Sequence, residues 1–470
     1  MNDSKIKWVL LFLSGLFMLL IVYLTSIEIL YREDYSSSNL NARTLAKEAN
    51  IMRGTIYDRS GEVLACSKMD GDVQKRYYPH IDLYSHVIGY SSKTYGKSFL
   101  EKTYNSLLLG DDTVNSVFNI KNVLKGEMSE GNDLYLTIDH ATQKRASALM
   151  DRYNGALAAI NPQTGEVIAM VSKPDFNPNE TYLTKNWSSL NSNENSPFLN
   201  RATMGLYPPG STFKTVTAAL AFEKGLQDEV INDEDGKVTI DGYTISNTKN
   251  ASFGETDMEK AFLKSSNVYF AKLGATLTDG DFKKISSAFM FNKKTGFEFP
   301  CATSKFQTSK MSEAERAATA IGQGKTLVSP LHLAMITGAI ANEGVMMRPY
   351  IVDKVKTPGG TTLKSGNTSV LSNTVLPEAA DFVKQLMVKT VERGTGTNAQ
   401  IWGIDVGGKT GTAENEKTDQ NKEKTHAMFV AFAPADDPQI AVAVVLEYAG
   451  STGGSIAAPI AREVIRTYLK

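Results

Sequence analysis

Ser211-Thr212-Phe213-Lys214, led in by Tyr207-Pro208-Pro209-Gly210, sets a hydroxyl and an amine at a spacing that can do chemistry. A serine hydroxyl is a poor nucleophile at neutral pH and needs a base held against it. On a helix, positions i and i+3 share a face, so Lys214 comes to the side that carries Ser211. Pro208 and Pro209 are excluded from a helix interior and Gly210 relaxes the turn, so a helix is expected to begin at Ser211. Its free N–H groups and dipole would favour negative charge at the hydroxyl. The layout suits a covalent nucleophile.

The same spacing recurs as Ser4 with Lys7 and as Ser246 with Lys249, the first in a polar N-terminal tail and the second in a Gly/Asn-rich stretch. A lone Ser-x-x-Lys is more often an exposed helical face than a site. Two later elements single out Ser211. Lys264-Ser265-Ser266-Asn267 supplies a Ser-x-Asn ahead of an apolar helical run, and Gly408-Lys409-Thr410-Gly411-Thr412-Ala413-Glu414 supplies a Lys-Thr-Gly just ahead of a strand-like run. Each has a rival copy. Ser189-Leu190-Asn191 precedes the nucleophile in a polar stretch, and Lys294-Thr295-Gly296 sits in a Phe-rich turn before Pro300 with no long strand after it. In isolation Ser265 and Asn267 would read as a helix cap and its neighbour. Three ordered elements in one module favour a site.

The elements that must position these residues can be read from periodicity. Apolar runs at 156–160 and 166–171 flank Asn161-Pro162-Gln163-Thr164-Gly165, which reads as a hairpin of buried strands. A helix-rich middle runs from 211 to about 386. Runs at 428–433 and 440–446 follow, then helical periodicity over 456–469. Strands at both ends with helices between predict one antiparallel sheet built from both termini, with a helical lobe inserted: an α+β domain. Lys409 would then lie on an edge strand lining a cleft.

Upstream, residues 53–65 read as two short strands around Asp58-Arg59-Ser60-Gly61. The region to about 130 mixes short patterns without a catalytic cluster. Residues 8–27 carry no charge and are long enough to cross a bilayer at roughly 20 residues. Lys5 and Lys7 precede them, while Arg32 follows together with Glu33 and Asp34, so the positive-inside rule puts the N-terminus in the cytoplasm. A cleaved signal peptide would have a shorter apolar region ending in small residues, which Tyr23-Leu24-Thr25-Ser26-Ile27 does not offer.

At 470 residues the chain exceeds the usual size of one domain. With 50 basic and 51 acidic residues the net charge is −1, which makes no case for nucleic acid. Two cysteines, Cys66 and Cys301, and five scattered histidines show no metal-ligand spacing and no disulfide framework. Each cysteine is expected to be buried and structural. No cofactor or metal is expected.

Ser-x-x-Lys, a Ser-x-Asn type element and Lys-Thr-Gly together are a known signature of penicillin-binding proteins and class A β-lactamases. The chain resembles the class B penicillin-binding proteins, membrane-anchored D,D-transpeptidases of bacterial cell-wall synthesis. The resemblance also rests on the anchor, Arg53-Gly54-Thr55-Ile56-Tyr57-Asp58-Arg59, residues 155–171, Gly322-Gln323-Gly324, Ser329-Pro330-Leu331 and Ala341-Asn342-Glu343-Gly344. It implies a cytoplasmic tail at 1–7, an anchor at 8–27, a small mixed pedestal or dimerisation-like module at 36–150, and a penicillin-binding, serine β-lactamase-like transpeptidase domain at 155–470 outside the membrane. No stretch of glycosyltransferase size is left over, which argues against the bifunctional class A type.

The resemblance further implies that Ser211 attacks the penultimate D-Ala carbonyl of a stem peptide, giving an acyl-enzyme and releasing terminal D-Ala. Lys214 would be the base and Ser265 the relay to the leaving amine. Asn267 would hold the substrate amide. Lys409, Thr410, Gly411 and Thr412 would bind the substrate, with its carboxylate on Lys409, Thr410 and Thr412. Backbone N–H groups of Ser211 and Thr412 would form the oxyanion hole. β-Lactams would be trapped as acyl-enzymes. A glycosyltransferase of the divisome, elongation or sporulation machinery would be the partner. A D,D-carboxypeptidase differs only in using water as acceptor. A β-lactamase would need a carboxylate-activated water that no element here supplies. A β-lactam sensor would need a larger cytoplasmic or multi-span part.

Overall fold

The computed structural model describes residues 3–30, 50–71, 73–112, 114, 115, 119, 128–413 and 425–470. Arg32, Glu33, Asp34 and Glu414 lie outside them. The first helix, α1 (Asp3–Leu30), contains a 23-residue stretch, Ser4–Ser26, of mean hydropathy 2.4 with none of it buried. That is the length and composition of a single membrane span.

Next come the short strands β1 (Ile56–Tyr57), β2 (Val63–Asp70), β3 (Val73–Tyr77) and β4 (Asp133–Leu136). The expected turn joins β1 to β2: Asp58 Oδ1 accepts from the backbone N–H groups of Ser60 and Glu62, both at 2.8 Å, and Gly61 supplies a positive φ of 95°. Arg53, ahead of β1, is buried against Glu101, donating from Nε to Oε2 at 2.7 Å, while Arg76 on β3 donates to the other oxygen at 2.7 Å. Burial alone would raise this carboxyl's pKa, but Arg53 and Arg76 outweigh it and hold it down to about 2.

The second stretch begins with α2 (His140–Met150) and the hairpin β5 (Gly155–Ile160) and β6 (Val167–Lys173). The helical lobe includes α3 (Lys214–Glu223), α4 (Met258–Lys264), α5 (Asn267–Thr276) and α6 (Pro330–Ala341). A second hairpin follows, β7 (Val352–Lys356) and β8 (Thr362–Ser365), then α7 (Pro377–Arg393). The chain closes with β9 (Gly407–Ala413), β10 (His426–Ala433), β11 (Ile440–Leu446) and α8 (Ala458–Tyr468).

The main sheet is five-stranded and antiparallel in the order β6-β5-β11-β10-β9, so strands from both ends of the domain meet at β5–β11 as expected. Every residue of β5, β6, β10 and β11 is buried, which is why these strands read as unbroken apolar runs and not as alternation. On one face α2 and α8 cover the sheet through Met150, Ile460, Val464 and Ile465. On the other lies α6, buried along its whole length, with Ser329 capping its start and Gly338 allowing close approach to Ile160. Its apolar character reflects this central position.

A second sheet, six-stranded, has the order β8-β7-β4-β1-β2-β3. Four of its strands precede residue 150 and two come from the chain after α6, so this sheet is built from both stretches of the sequence. Arg59 adds a tie, donating to Glu166 Oε2 and Tyr468 Oη at 3.1 Å each. Cys66 and Cys301 are free, but both are only partly buried, against expectation. Cys66 lies opposite Tyr77 in the exposed β2–β3 ribbon.

Candidate active site

Ser211 lies not on an α-helix but in a 3₁₀ turn, Gly210–Phe213, and the α-helix starts at Lys214, three residues later than the sequence predicts. Gly210 adopts a positive φ of 53°, its N–H donates to Gly322 O at 2.9 Å, and Thr212 Oγ1 donates back to Pro209 O at 2.7 Å. These bonds tighten the entry turn, and in a 3₁₀ turn positions i and i+3 eclipse, which keeps Ser211 and Lys214 on one side. Ser211 is partly exposed, whereas Lys214 is fully buried.

The Lys214 amine is held from across the cleft. Nζ donates to Ser265 O at 2.8 Å and Asn267 Oδ1 at 2.7 Å, and lies 3.4 Å from Ser265 Oγ. Ser265 ends α4 in the left-handed conformation, φ 58°, which is uncommon and strained for a residue other than glycine. Ser266 caps α5 by accepting from Tyr269 N at 3.0 Å. The two helices thus meet at a sharp corner that turns both the carbonyl and the hydroxyl of Ser265 toward Lys214. Asn267 donates from Nδ2 to Ser246 O at 2.8 Å, so one of its two amide N–H groups remains for a substrate.

Lys409 approaches from β9, the edge strand of the main sheet, and its Nζ donates to Ser265 Oγ at 2.9 Å. Burial pushes this amine down to about 7. For Lys214, burial first and then the Lys409 charge push the pKa well below the usual lysine value, with Asp233 opposing. A neutral Lys214 amine has two N–H donors and one lone pair. Ser265 O and Asn267 Oδ1 take the donors, which leaves the lone pair for a proton arriving from a hydroxyl.

Glycines bring the nucleophile turn against β9. A Cβ on Gly210 would sit 2.8 Å from Thr412 O, and one on Gly411 would sit 2.8 Å from Thr212 Cγ2. Gly322, from Gly322-Gln323-Gly324, meets Gly210 O so closely that a Cβ would lie at 2.0 Å. Thr410 shares a 2.8 Å hydrogen bond with Thr395, and Thr412 is the exposed residue of β9. All eight residues singled out in the sequence therefore lie on three segments that meet at one place, the Gly210–Phe213 turn with the start of α3, the α4–α5 corner and β9: Ser211, Lys214, Ser265, Asn267, Lys409, Thr410, Gly411 and Thr412.

The rival copies fall elsewhere. Ser189 and Asn191 end an exposed helix, Glu180–Asn191, and Lys294-Thr295-Gly296 belongs to no strand. Ser246 and Lys249 are a subtler case. Neither side chain joins the site, yet Ser246 O receives Asn267, and its neighbour Asn247 accepts from Asn267 N at 2.7 Å. Asn247, Asp233 and Thr395 are the support that sequence reading missed. Only the Asn-rich composition near 247 pointed at the segment. No three or more His, Cys, Asp or Glu side chains cluster as a metal site among the described residues.

Residues 155–466 match the penicillin-binding protein transpeptidase domain, and residues 53–134 match the penicillin-binding protein A dimerisation domain. The chain is 31% identical to peptidoglycan D,D-transpeptidase PbpA of Mycolicibacterium smegmatis, over 100% of this chain and 99% of that one. It is 32% identical to peptidoglycan D,D-transpeptidase MrdA of Acinetobacter baumannii, over 84% of this chain and 66% of that longer protein. The structure superposes with a TM-score of 0.82 on the penicillin G acyl-enzyme complex of penicillin-binding protein A from M. tuberculosis, at 31% identity, covering 89% of this chain and 100% of that one. The chain belongs to the penicillin-binding protein transpeptidase family, in the class B arrangement of a dimerisation-type module ahead of the transpeptidase domain.

Proposed function

We propose that the chain is a peptidoglycan D,D-transpeptidase that works through an acyl-enzyme on Ser211 and is acylated there by β-lactams. The observation that carries the reading is the buried Lys214 amine, whose N–H groups are taken by Ser265 O and Asn267 Oδ1 and whose pKa lies well below the lysine range. Relatives bearing the D,D-transpeptidase name across their full length support the reaction class.

Ser211 Oγ attacks the carbonyl carbon of the penultimate D-Ala while its proton passes to Lys214 Nζ. The negative charge on the carbonyl oxygen meets the backbone N–H groups of Ser211 and Thr412, each such donor being worth roughly 3–4 kcal/mol in a comparable site. Collapse breaks the C–N bond. The proton returns through Ser265 Oγ, which lies between Lys214 and Lys409, to the departing D-Ala amine. Lys409, Thr410, Gly411 and Thr412 hold the terminal carboxylate end of the substrate, and the free N–H of Asn267 holds its amide. The amine of a second stem peptide then attacks the ester, forming the cross-link and freeing Ser211.

The apolar helix α1 is compatible with a single-pass anchor. Lys5 and Lys7 ahead of it support a cytoplasmic N-terminus with the catalytic domain outside. A transpeptidase needs freshly polymerised glycan strands, so a wall glycosyltransferase is the expected partner. A labelled penicillin should attach covalently to Ser211, and Ser211→Ala should abolish it; a mutant that still takes label refutes the assignment. Muropeptide analysis after depletion should show lost cross-links. Pentapeptide accumulation with cross-linking unchanged would indicate a carboxypeptidase instead.

A further inference from the structure

We propose that Asp233 is a positioning residue for the acyl-transfer reaction: through Asn247 and Ser266 its carboxylate fixes the Ser265–Asn267 corner around the Lys214 amine. The inference rests on the acyl-transfer reading above.

Asp233 ends the short strand Ile231–Asp233 and is 1% exposed. Its carboxylate accepts from Asn247 Nδ2 at 2.9 and 2.8 Å and from Ser266 Oγ at 2.6 Å, and no Lys or Arg pairs with it among the described residues. A buried carboxylate without a counter-ion is costly to maintain. A helix cap does not require one. Ser266 already caps α5 with its hydroxyl oxygen, and any neutral acceptor would serve its proton.

Charge is useful here because of what lies at the far end of the chain of contacts. Asn247, oriented by Asp233, uses Oδ1 to accept from Asn267 N at 2.7 Å and Val268 N at 3.1 Å. Asn267 in turn carries the Oδ1 that holds Lys214 Nζ. Asp233 therefore reaches the base by geometry through two side chains, and also by its field. The charged groups acting on Lys214 are Lys409 from β9 and Asp233, and no helix packed against α3 adds another among the described residues. Around Asp233, the side chains of Glu234, Asp235, Glu255 and Lys264 are exposed, and Lys272 is tied to Asn232 O at 2.7 Å.

The two effects have different signatures. Losing the geometry slows acylation at every pH. Losing the negative charge makes Lys214 easier to deprotonate, so the acid limb of the acylation profile moves to lower pH. The test uses the detergent-solubilised full chain and a fluorescent penicillin, with second-order acylation rates taken across pH. Asp233→Asn is expected to slow acylation about tenfold to a hundredfold and to move the acid limb to lower pH. Asp233→Asn acylating at the wild-type rate, or slowing with its acid limb unmoved, overturns the proposal. Should Asp233→Asn show no cooperative thermal transition, Ser266→Ala decides: slower acylation with the limb in place supports the proposal, and a wild-type rate overturns it. A wild-type chain that takes no label refutes the acyl-transfer reading itself.

Discussion

Lys214 and Lys409 come from opposite walls of the cleft and bring their amines to one hydroxyl, with Nζ of Lys409 2.9 Å and Nζ of Lys214 3.4 Å from Ser265 Oγ. Two ammonium groups this close in a buried site do not both keep their charge. Lys214, pushed down by burial and by its neighbour, gives up its proton first. Lys409, at about 7, keeps its charge through the acid range and shares it with Ser265, which fits the proposed roles of Lys214 as base and Lys409 as carboxylate receptor.

This division of labour makes acylation depend on pH in two ways. On the acid side the rate should rise with pH as Lys214, its pKa pushed down by burial and by Lys409, deprotonates. Above about 7 it should fall as Lys409 discharges and loses its hold on the β-lactam carboxylate. Lys409→Arg keeps a permanent charge and should flatten the alkaline limb while leaving the acid limb in place. Acylation rates of both proteins across pH check this, and an alkaline limb that survives in the arginine variant assigns it to another group.

Gly210 holds the Ser211 turn in close contact with the edge strand β9. Gly210→Ala places a Cβ 2.8 Å from Thr412 O at a φ of 53°, so the turn and β9 must separate. A shift near 1 Å at a reacting centre can cost about a hundredfold in rate. Acylation is expected to fall by that order while the thermal transition stays cooperative. Near wild-type labelling would mean that the oxyanion donors are not set by this contact.

Glu101 carries a prediction about stability. Its carboxylate is shared by Arg53 and Arg76, all three being nearly fully buried. Glu101→Gln leaves both guanidinium groups without their counter-charge, a loss of about 3–5 kcal/mol by analogy with broken buried pairs. Because the folded carboxyl titrates at about 2, below the usual ~4.3, its stabilising effect is present above about pH 4 and is lost as pH falls toward 2. Denaturant melts of the two proteins should differ widely at neutral pH and converge in acid. A pH-independent gap would place the mutant's defect in packing and not in charge.

The Ser211 turn, its lysine and the Lys409 strand were legible because each has a local cause: Pro-Pro-Gly before the turn, and glycines with a strand-like run around Lys409. The terminal sheet was legible for the same reason, since wholly buried strands leave unbroken apolar runs. The exact start of the helix was not, because the choice between a 3₁₀ turn and an α-turn at Ser211 is made by the Gly210–Gly322 hydrogen bond, across more than a hundred residues. Asp233 and Asn247 were invisible for a related reason. Beyond an Asn-rich composition near 247 nothing in their own neighbourhood marks them, and Ser246 beside Asn247 reads as a discarded copy of the motif. The pairing of β7 with β4 likewise depends on where α6 delivers the chain.

That pairing sets how the protein can be taken apart. The six-stranded sheet owns β7 and β8 through hydrogen bonds, but the polypeptide reaches them only after passing through the buried helix α6. A cut near residue 150 would strip β4 from β7 and leave each half with a raw edge able to pair with other chains. Exchange of the 53–134 dimerisation-type module for another, by recombination or by design, must carry the 352–365 hairpin with it, so the heritable unit is discontinuous in the gene although the sheet is continuous in space.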